Sequence, residues 1–268
     1  MNKILTIAGS DSSGGAGIQA DIKTITAHKM YAMCAITALT AQNTLGVRAI
    51  EQASAKLVSE QISACFDDMG VDALKTGMLF SKDIIDAVIA TLKKYNAKNI
   101  VCDPVMLASS GAKLLQDDAI DALWQLFAIS DIITPNLSEA AFLLKKQIKS
   151  VDDMKEAAST LYSRIASISN NAKNCAVLIK GGHLDATDIL YDGASFSEFK
   201  SQKIETKNNH GTGCTLSSAI ACALASGASL PQAISHAKNF VFNALKNDIH
   251  IGKGCGAINH YYNIKELL

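Results

Sequence analysis

The residues best suited to chemistry form a short glycine-rich run, His210-Gly211-Thr212-Gly213-Cys214-Thr215, which leads directly into a predicted helix at residues 216–225. Two glycines therefore lie where a helix begins, where the first backbone amides lack acceptors and the helix dipole is positive. Because glycine lets the backbone approach a ligand closely, the run predicts an anion-binding site, most naturally for phosphate. Cys214 falls in the first turn, where a depressed thiol pKa and raised reactivity are expected. The alternative interpretation is a tight turn followed by a buried cysteine.

Further candidates lie at the ends of predicted strands, where parallel sheets bind their ligands. They are Asp11, Gln42, Met78, Asp103, Asn136, Glu139 and Lys180. Lys180 ends an apolar strand just before two glycines, which favours a contact with phosphate or with a metal-bound ligand. Gln42 is either a surface residue or a reader of a ring nitrogen and an amino group together, since its amide both donates and accepts.

Some of the candidates also have purely structural interpretations. Asn136 and Glu139 have the spacing of a helix capping box, and on spacing alone the cap is favoured over a metal role. Asp21 fits a carboxylate in the first turn of a helix. His183 and His210 flank glycine-rich loops, and either can serve only to orient its loop.

A second glycine-rich segment, at residues 9–17, comes close to two phosphate-binding motifs without satisfying either. The spacing from Gly9 to Gly14 fits a Walker A loop, but Gly15 and Ala16 replace the required Lys and Ser/Thr. Residues 15–20 fit the looser dinucleotide fingerprint, which also needs an acidic residue about 20 positions further on. No Asp or Glu occurs between Asp21 and Glu51, which argues against an NAD-binding protein.

Alternating strands and helices are predicted to position these residues. Strands are predicted at residues 3–8, 31–39, 71–76, 99–102, 129–134, 174–179, 189–191, 196–199 and 203–206. Helices are predicted at residues 18–28, 117–127, 137–146, 151–168, 216–225 and 231–246, with two more beginning at Ser54 and Ser81. The alternation implies an α/β fold with a mostly parallel central sheet and helices on both faces. The last three strands are expected to form a small antiparallel edge, and residues 105–114 a mobile loop.

Composition narrows the class of protein. The 268 residues include 25 Lys and Arg and 25 Asp and Glu, so the net charge is zero and nothing favours nucleic acid as a partner. No apolar run approaches the roughly 18 residues of a membrane span. The seven cysteines have neither zinc nor disulfide spacing, which favours the reducing cytoplasm. We expect a single domain over residues 1–268.

Seven motifs in a fixed order resemble those of one enzyme family. They are AGSD at residues 8–11, GGAGIQAD at 14–21, TAQNT at 40–44, KTGML at 75–79, TPNLSEA at 134–140, KGGH at 180–183 and HGTGCT at 210–215. Together they resemble the hydroxymethylpyrimidine/phosphomethylpyrimidine kinases of thiamine biosynthesis, which belong to the ribokinase-like superfamily. The resemblance runs from Ile4 to Gly256. It implies a ribokinase-like fold and a cytoplasmic homodimer.

The resemblance also implies an activity. Such a kinase uses ATP and Mg²⁺ to phosphorylate 4-amino-5-hydroxymethyl-2-methylpyrimidine, and then converts the monophosphate to the diphosphate. Substrate binding is implied for Gln42, Asp21, Met78 and Val105, with Val105 closing over the ring. The anion hole would comprise Gly211, Thr212, Gly213 and Cys214. Cofactor binding is implied for Asp103, Asn136, Glu139 and Lys180, with Lys180 also catalytic and Glu139 at the Mg²⁺ ion.

Three questions stay open at the level of sequence. Many ribokinase-like sugar kinases have an Asp base where this chain has Cys214, so Cys214 is either the base or a packing residue. Pyridoxal kinases of this branch carry a second cysteine in the lid loop, and residues 105–114 contain none, which disfavours that alternative activity. A nucleotide- or vitamin-binding sensor without turnover is the remaining alternative.

Overall fold

One sheet of nine strands runs through the part of the chain that the computed structural model describes, which is residues 1–107, 113–169, 174–182, 184 and 186–264. The strands are β1 (Lys3–Asp11), β2 (Tyr31–Asn43), β3 (Gly46–Gln52), β4 (Ala73–Thr76), β5 (Ile100–Cys102), β6 (Ile132–Ile133), β7 (Ala176–Ile179), β8 (Asp188–Tyr191) and β9 (Phe196–Phe199). Their order across the sheet is β3-β2-β1-β4-β5-β6-β7-β8-β9. The six neighbouring strands β2, β1, β4, β5, β6 and β7 are parallel to one another. The pairs β2–β3, β7–β8 and β8–β9 are antiparallel.

Helices cover both faces of this sheet. They are α1 (Gly17–Ala27), α2 (Ala55–Ala64), α3 (Lys82–Lys94), α4 (Ile120–Phe127), α5 (Leu137–Leu144), α6 (Val151–Ile168), α7 (Thr212–Ala225) and α8 (Leu230–Lys246). A π-helical turn, Cys65–Met69, continues α2, and a 3₁₀ turn, Asp117–Ala119, precedes α4. The predicted α/β fold with a mostly parallel sheet is confirmed. No helix in the described ranges combines the length and apolar character needed to cross a bilayer.

Alternation of side chains along the strands divides the core in two. Ile4 faces one cluster, formed with α1, α7 and α8, whereas Leu5 and Ile7 face the other, formed mainly with α2, α3, α4 and α6. Every residue of α7 from Thr215 to Ala223 is buried. Most of these are Ala, Ser, Thr or Cys, so the helix packs closely against its neighbours, and its N-terminus is held at the C-terminal edge of the sheet.

Two edges of the sheet differ from the prediction. The antiparallel strand β3 was not predicted, and it pairs with the last part of β2, from Ala38 to Asn43, most of which extends beyond the predicted strand at residues 31–39. The predicted strand at residues 203–206 was wrong, because that segment pairs with no strand in the described structure and lies along a cleft instead. The antiparallel edge after β7 is confirmed for β8 and β9. Half of the predicted mobile loop, residues 108–112, and His183 lie outside the described residues.

Candidate active site

A cleft of about 830 Å³ opens at the C-terminal ends of the parallel strands. That volume is at the upper end of the roughly 300–1,000 Å³ range for small-molecule sites. Its walls include all but one of the residues assigned to the site from sequence. They are Gln42, Met78, Asp103, Val105, Asn136, Glu139, Lys180, Gly211, Thr212, Gly213 and Cys214. The fold therefore brings together residues that are up to 172 positions apart in the chain, from Gln42 to Cys214.

The N-terminal turn of α7 forms one wall of the cleft. Gly211 precedes the helix with a φ of 87°, and a Cβ atom there would lie 1.9 Å from the carbonyl oxygen of Gly15. Only glycine fits this position. A Cβ atom on Gly213 would lie 3.3 Å from Nζ of Lys180 and 3.6 Å from Oδ2 of Asp103. The turn thus presents helix amides beside a lysine, which is the arrangement expected for binding an anion.

Lys180 and Asp103 form an ion pair next to that turn. Nζ of Lys180 donates to Oδ1 of Asp103 at 2.7 Å, and the hydroxyl of Thr134 donates to the same oxygen at 3.1 Å. Only 13% of the lysine side chain and 3% of the aspartate side chain are exposed. Burial opposes the charge of Lys180, but Asp103 and Glu139 outweigh it and raise the pKa of the ammonium. Lys180 is therefore positively charged in the cleft.

Asn136 and Glu139 form the capping box of α5, as their spacing predicts. Oδ1 of Asn136 accepts from the amide of Glu139 at 2.9 Å, and Oε2 of Glu139 accepts from the amide of Asn136 at 2.7 Å. Burial raises the pKa of Glu139 to about 7, Lys180 partly offsets this rise, and Asp103 adds to it. Because Oε1 has no hydrogen-bond partner among the described residues, the cap leaves one carboxylate oxygen for another ligand.

Gln42 and two apolar side chains form another part of the cleft wall. Oε1 of Gln42 accepts from the hydroxyl of Thr40 at 3.2 Å, and its Nε2 lies 3.3 Å from Nε2 of His210. Met78 and Val105 belong to a small apolar cluster on the same side. This combination of a polar amide and an apolar floor suits a flat ring that carries hydrogen-bonding edges.

Asp21 lies below the cleft instead of in its wall. It is fully buried and accepts from Lys75, Thr6 and Ser218, so its carboxylate is engaged within the protein. It is the fifth residue of α1, which also removes the interpretation as a first-turn carboxylate. The contact with substrate expected for Asp21 is not supported by this geometry.

The expectation for the thiol of Cys214 was also wrong. Burial raises its pKa to about 11, and although Lys75 and the amide of Gly17 act in the opposite direction, they do not compensate. The prediction rested on the helix N-terminus and left out the cost of forming a thiolate among packed side chains, which dominates here. Cys214 still lines the cleft and is partly exposed there.

Asp11 and His210 form a polar contact that sequence reasoning did not connect. Nε2 of His210 lies 2.8 Å from Oδ2 of Asp11, and both side chains are buried. Burial raises the pKa of Asp11, but hydrogen bonds from His210 and Ser13 outweigh this effect and lower the pKa to about 2. The contact ties the loop after β1 to the loop before α7, so His210 does orient the anion-binding turn. Both residues lie in glycine-rich segments of the sequence, but 199 positions separate them.

The far side of the cleft was missed altogether. It is lined by residues 201–206 and by the part of α8 that carries Lys238, Val241, Phe242 and Leu245. Nζ of Lys238 donates to Asp188 at 2.6 Å, and Asp188 in turn accepts from the amide of Gly181 at 2.9 Å. The apolar spacing of α8 could be read from the sequence, but not which of its residues face a ligand.

A family model described as phosphomethylpyrimidine kinase matches residues 11–259. The chain belongs to this family. It is 44% identical over 264 residues to the hydroxymethylpyrimidine/phosphomethylpyrimidine kinase of Bacillus subtilis, a match that covers 97% of this chain and 94% of that protein. It is 46% identical over 261 residues to a bifunctional thiamine biosynthesis protein of Geobacter sulfurreducens, with 96% of this chain covered. The chain spans about half of that longer relative, 52% of its length.

Solved structures of this family and of a vitamin kinase share the fold. The phosphomethylpyrimidine kinase of Clostridium difficile matches with a TM-score of 0.78 and 42% identity, covering 91% of this chain and 99% of that one. An ADP complex of Bacillus subtilis pyridoxal kinase matches with a TM-score of 0.87 and 39% identity, covering 98% of both chains. The ribokinase-like fold and the kinase family expected from the seven motifs are confirmed.

Proposed function

We propose that the protein transfers the γ-phosphoryl group of ATP to 4-amino-5-hydroxymethyl-2-methylpyrimidine, and then a second phosphoryl group to the resulting monophosphate. One observation supports this most directly. The anion-binding turn of α7 and the ion pair of Lys180 and Asp103 line one cleft of about 830 Å³ together with the amide of Gln42 and apolar side chains of α8. Two substrates can thus meet at a site built for the group that moves between them. The family assignment supports both steps.

Two groups of residues in the cleft wall suit the two substrates. The amide of Gln42 can pair with the amino group and a ring nitrogen of the pyrimidine, while Met78 and Val105 pack on its faces. The cleft wall formed by residues 201–206 and α8 includes the apolar side chains of Val241 and Phe242, which suit the base of a nucleotide. Structures of the related Staphylococcus aureus pyridoxal kinase were determined with AMP-PCP and with ADP, which supports a nucleotide as the donor.

The chemistry needs charge stabilisation more than covalent catalysis. In the first step the hydroxymethyl oxygen of the pyrimidine forms a bond to the γ-phosphorus, the bond from that phosphorus to the bridging oxygen breaks, and ADP leaves. The hydroxyl proton is lost to solvent. Amides of the turn at residues 211–214 hold the oxygens of the transferring group, and the ammonium of Lys180 neutralises the charge that develops. In the second step a phosphate oxygen of the monophosphate takes the place of the hydroxyl.

The residues present fit a magnesium ion bound together with the nucleotide phosphates. Glu139 keeps one oxygen without a hydrogen bond, and its raised pKa shows that a nearby cation would stabilise its ionised form. Magnesium prefers such carboxylate oxygens, usually one or two of them together with phosphate and water. Within the described ranges no three His, Cys, Asp or Glu side chains cluster as a metal site, which agrees with an ion held chiefly by phosphates. The ion would supply charge neutralisation on the β- and γ-phosphates.

A substrate panel with ATP and Mg²⁺ tests the proposal. Release of ADP would be followed with the pyrimidine alcohol, its monophosphate, pyridoxal and ribose, and the products identified by mass spectrometry. We expect turnover of the pyrimidine alcohol and of its monophosphate. Lys180→Met should lower kcat with both by about 100-fold or more. Preferred turnover of pyridoxal would favour the second candidate function, that of a pyridoxal kinase, which the likeness to the pyridoxal kinase of Bacillus subtilis supports. ADP formation with none of the four would indicate a binding protein.

Assembly and location are further proposals from the resemblance. We expect a homodimer in the cytoplasm, and light scattering after size-exclusion chromatography tests the oligomeric state. A mass of one chain, 28.4 kDa, at micromolar concentration would contradict the dimer.

A further inference from the structure

A buried ion pair lies beneath the anion-binding turn and outside the walls of the cleft. Nζ of Lys75, on β4, lies 3.0 and 2.9 Å from the two carboxylate oxygens of Asp21, on α1. The exposed fractions of these side chains are 1% and 0%. Neither residue reaches the cleft, so substrate contact does not explain the pair.

Asp21 connects four elements around this point. Besides Lys75, it accepts a hydrogen bond from the hydroxyl of Thr6 on β1 at 2.6 Å and one from the hydroxyl of Ser218 on α7 at 2.7 Å. Ser218 lies four residues after Cys214, so the two side chains project from the same face of α7, one turn apart. The position of the first turn of α7 relative to β1 and β4 therefore depends on this carboxylate.

The ammonium of Lys75 lies beside Gly77, the residue that precedes Met78 of the cleft wall. The ammonium of Lys75 acts on the thiol of Cys214 more strongly than the carboxylate of Asp21 does, and it also acts on Asp103. A Cβ atom on Gly77 would lie 2.8 Å from Nζ, so the backbone after β4 leaves room for the ammonium. Burial opposes the charge of Lys75, but the carboxylates of Asp21 and Asp103 outweigh it and raise the pKa of the ammonium.

Stability alone is a poor reason for such a pair. Replacing a buried ion pair by apolar side chains of similar volume is often neutral or stabilising, because two charges must be desolvated to form it. A fixed dipole in a dry environment is well suited, however, to hold helix amides where negative charge develops during a reaction.

We infer that Lys75 and Asp21 are positioning residues for phosphoryl transfer, which fix the anion-binding turn of α7 through Ser218. This inference rests on the proposed phosphoryl transfer and deepens it. It assigns to Asp21 a role at the site without contact with the substrate.

Two variants and a control test the inference. Asp21→Asn combined with Lys75→Met removes both charges without leaving one unpaired, and Ser218→Ala removes only the link to α7. Leu161→Ala serves as the control, because Leu161 is fully buried in the core on the opposite face of the sheet. It should lower stability without touching the turn. Circular dichroism and thermal unfolding establish that each variant is folded at the assay temperature.

The first measurement separates kcat from KM. We expect kcat to fall about 30-fold in the double variant and about fivefold in Ser218→Ala, somewhat less than loss of a direct oxyanion donor, with the KM for ATP within twofold of wild type. Leu161→Ala should keep the kcat of wild type. A folded double variant with kcat within twofold of wild type would overturn the inference. If the double variant does not fold, Ser218→Ala decides by the same twofold limit.

A second measurement does not depend on the identity of the acceptor. Aluminium fluoride with ADP imitates the phosphoryl group in transfer, and its effect on ADP affinity is measured by calorimetry. We expect the gain in affinity to shrink about fivefold in Ser218→Ala with binding of ADP alone unchanged, and to persist in Leu161→Ala. An unchanged gain would overturn the inference. If wild type phosphorylates none of the panel, the proposed function fails, and this measurement still judges the positioning role.

Discussion

Glu139→Gln offers a direct test of the electrostatics of the cleft. The glutamate is 8% exposed, and burial raises its pKa from 4.5 to about 7. In the unfolded chain the group ionises near its ordinary value, whereas the folded protein keeps the proton to higher pH. Between these two values the unfolded state binds fewer protons, so the free energy of unfolding falls as pH rises and becomes constant above the folded pKa. A shift of this size corresponds to about 3 kcal/mol.

The glutamine amide keeps the acceptor oxygen of the capping box but cannot ionise. The variant should therefore gain up to about 3 kcal/mol relative to wild type as pH rises from 4.5 to 8. Urea denaturation of the ligand-free protein in EDTA, at half-unit steps of pH, measures the difference. Glu139→Ala is the matched variant, which also loses the cap and should be about 1 kcal/mol less stable than Glu139→Gln at every pH.

The same substitution that raises stability should lower turnover. If Glu139 holds the magnesium ion, Glu139→Gln should lower kcat at least about tenfold while raising stability at pH 8, a loss of about 1.4 kcal/mol of transition-state stabilisation. A constant difference in stability across the pH range would refute the burial argument. Undiminished kcat in both Glu139 variants would leave the capping box as the whole role of the residue.

Four further substitutions test the rest of the site. Lys180→Met should lower kcat by about 100-fold or more in an assay of ADP release, because the charge on the transferring group loses its cation. Gln42→Leu should raise the KM for the pyrimidine at least about tenfold more than the KM for ATP, and equal effects would contradict its role. Gly211→Ala should fail to fold or lose phosphate affinity in calorimetry, since its Cβ would lie 1.9 Å from a carbonyl oxygen. Cys214→Ser should keep kcat within about tenfold between pH 7 and 9, because a neutral thiol contributes contact and not charge.

The sequence predicted best where local and global signals agree. The helix Val151–Ile168 was predicted with its observed bounds, because Ser150 caps it and apolar residues recur at helical spacing along it. The strand β3 was missed because it is largely exposed and its pairing with β2 is a property of the fold. The error at residues 203–206 has the reverse cause, since an alternating polar and apolar pattern needs a neighbouring strand before it becomes one.

For the candidate site, too, the sequence located residues better than it predicted their contacts. The rule that ligands bind at the C-terminal ends of parallel strands found Asp103, Glu139 and Lys180 without knowledge of their contacts. It could not pair Asp11 with His210, nor could it tell that Asp21 turns inward to Lys75, since these contacts depend on helix packing. The position of a residue in the chain predicted that it lies at the C-terminal edge of the sheet, but it did not predict the direction in which its side chain points.

Burial is the largest influence on the pKa of the Cys214 thiol. A pKa of about 11 leaves roughly one thiol in 3,000 ionised at pH 7.5, so a thiolate base is scarce in the ligand-free protein. The transition state of phosphoryl transfer is loose, and the hydroxyl need not lose its proton early. The charged side chains nearby are largely paired, Lys180 with Asp103 and Lys75 with Asp21. We therefore expect the helix amides at residues 211–214 and the ammonium of Lys180 to supply the positive potential for the transferring group, while the pair of Lys75 with Asp21 holds the amides in place.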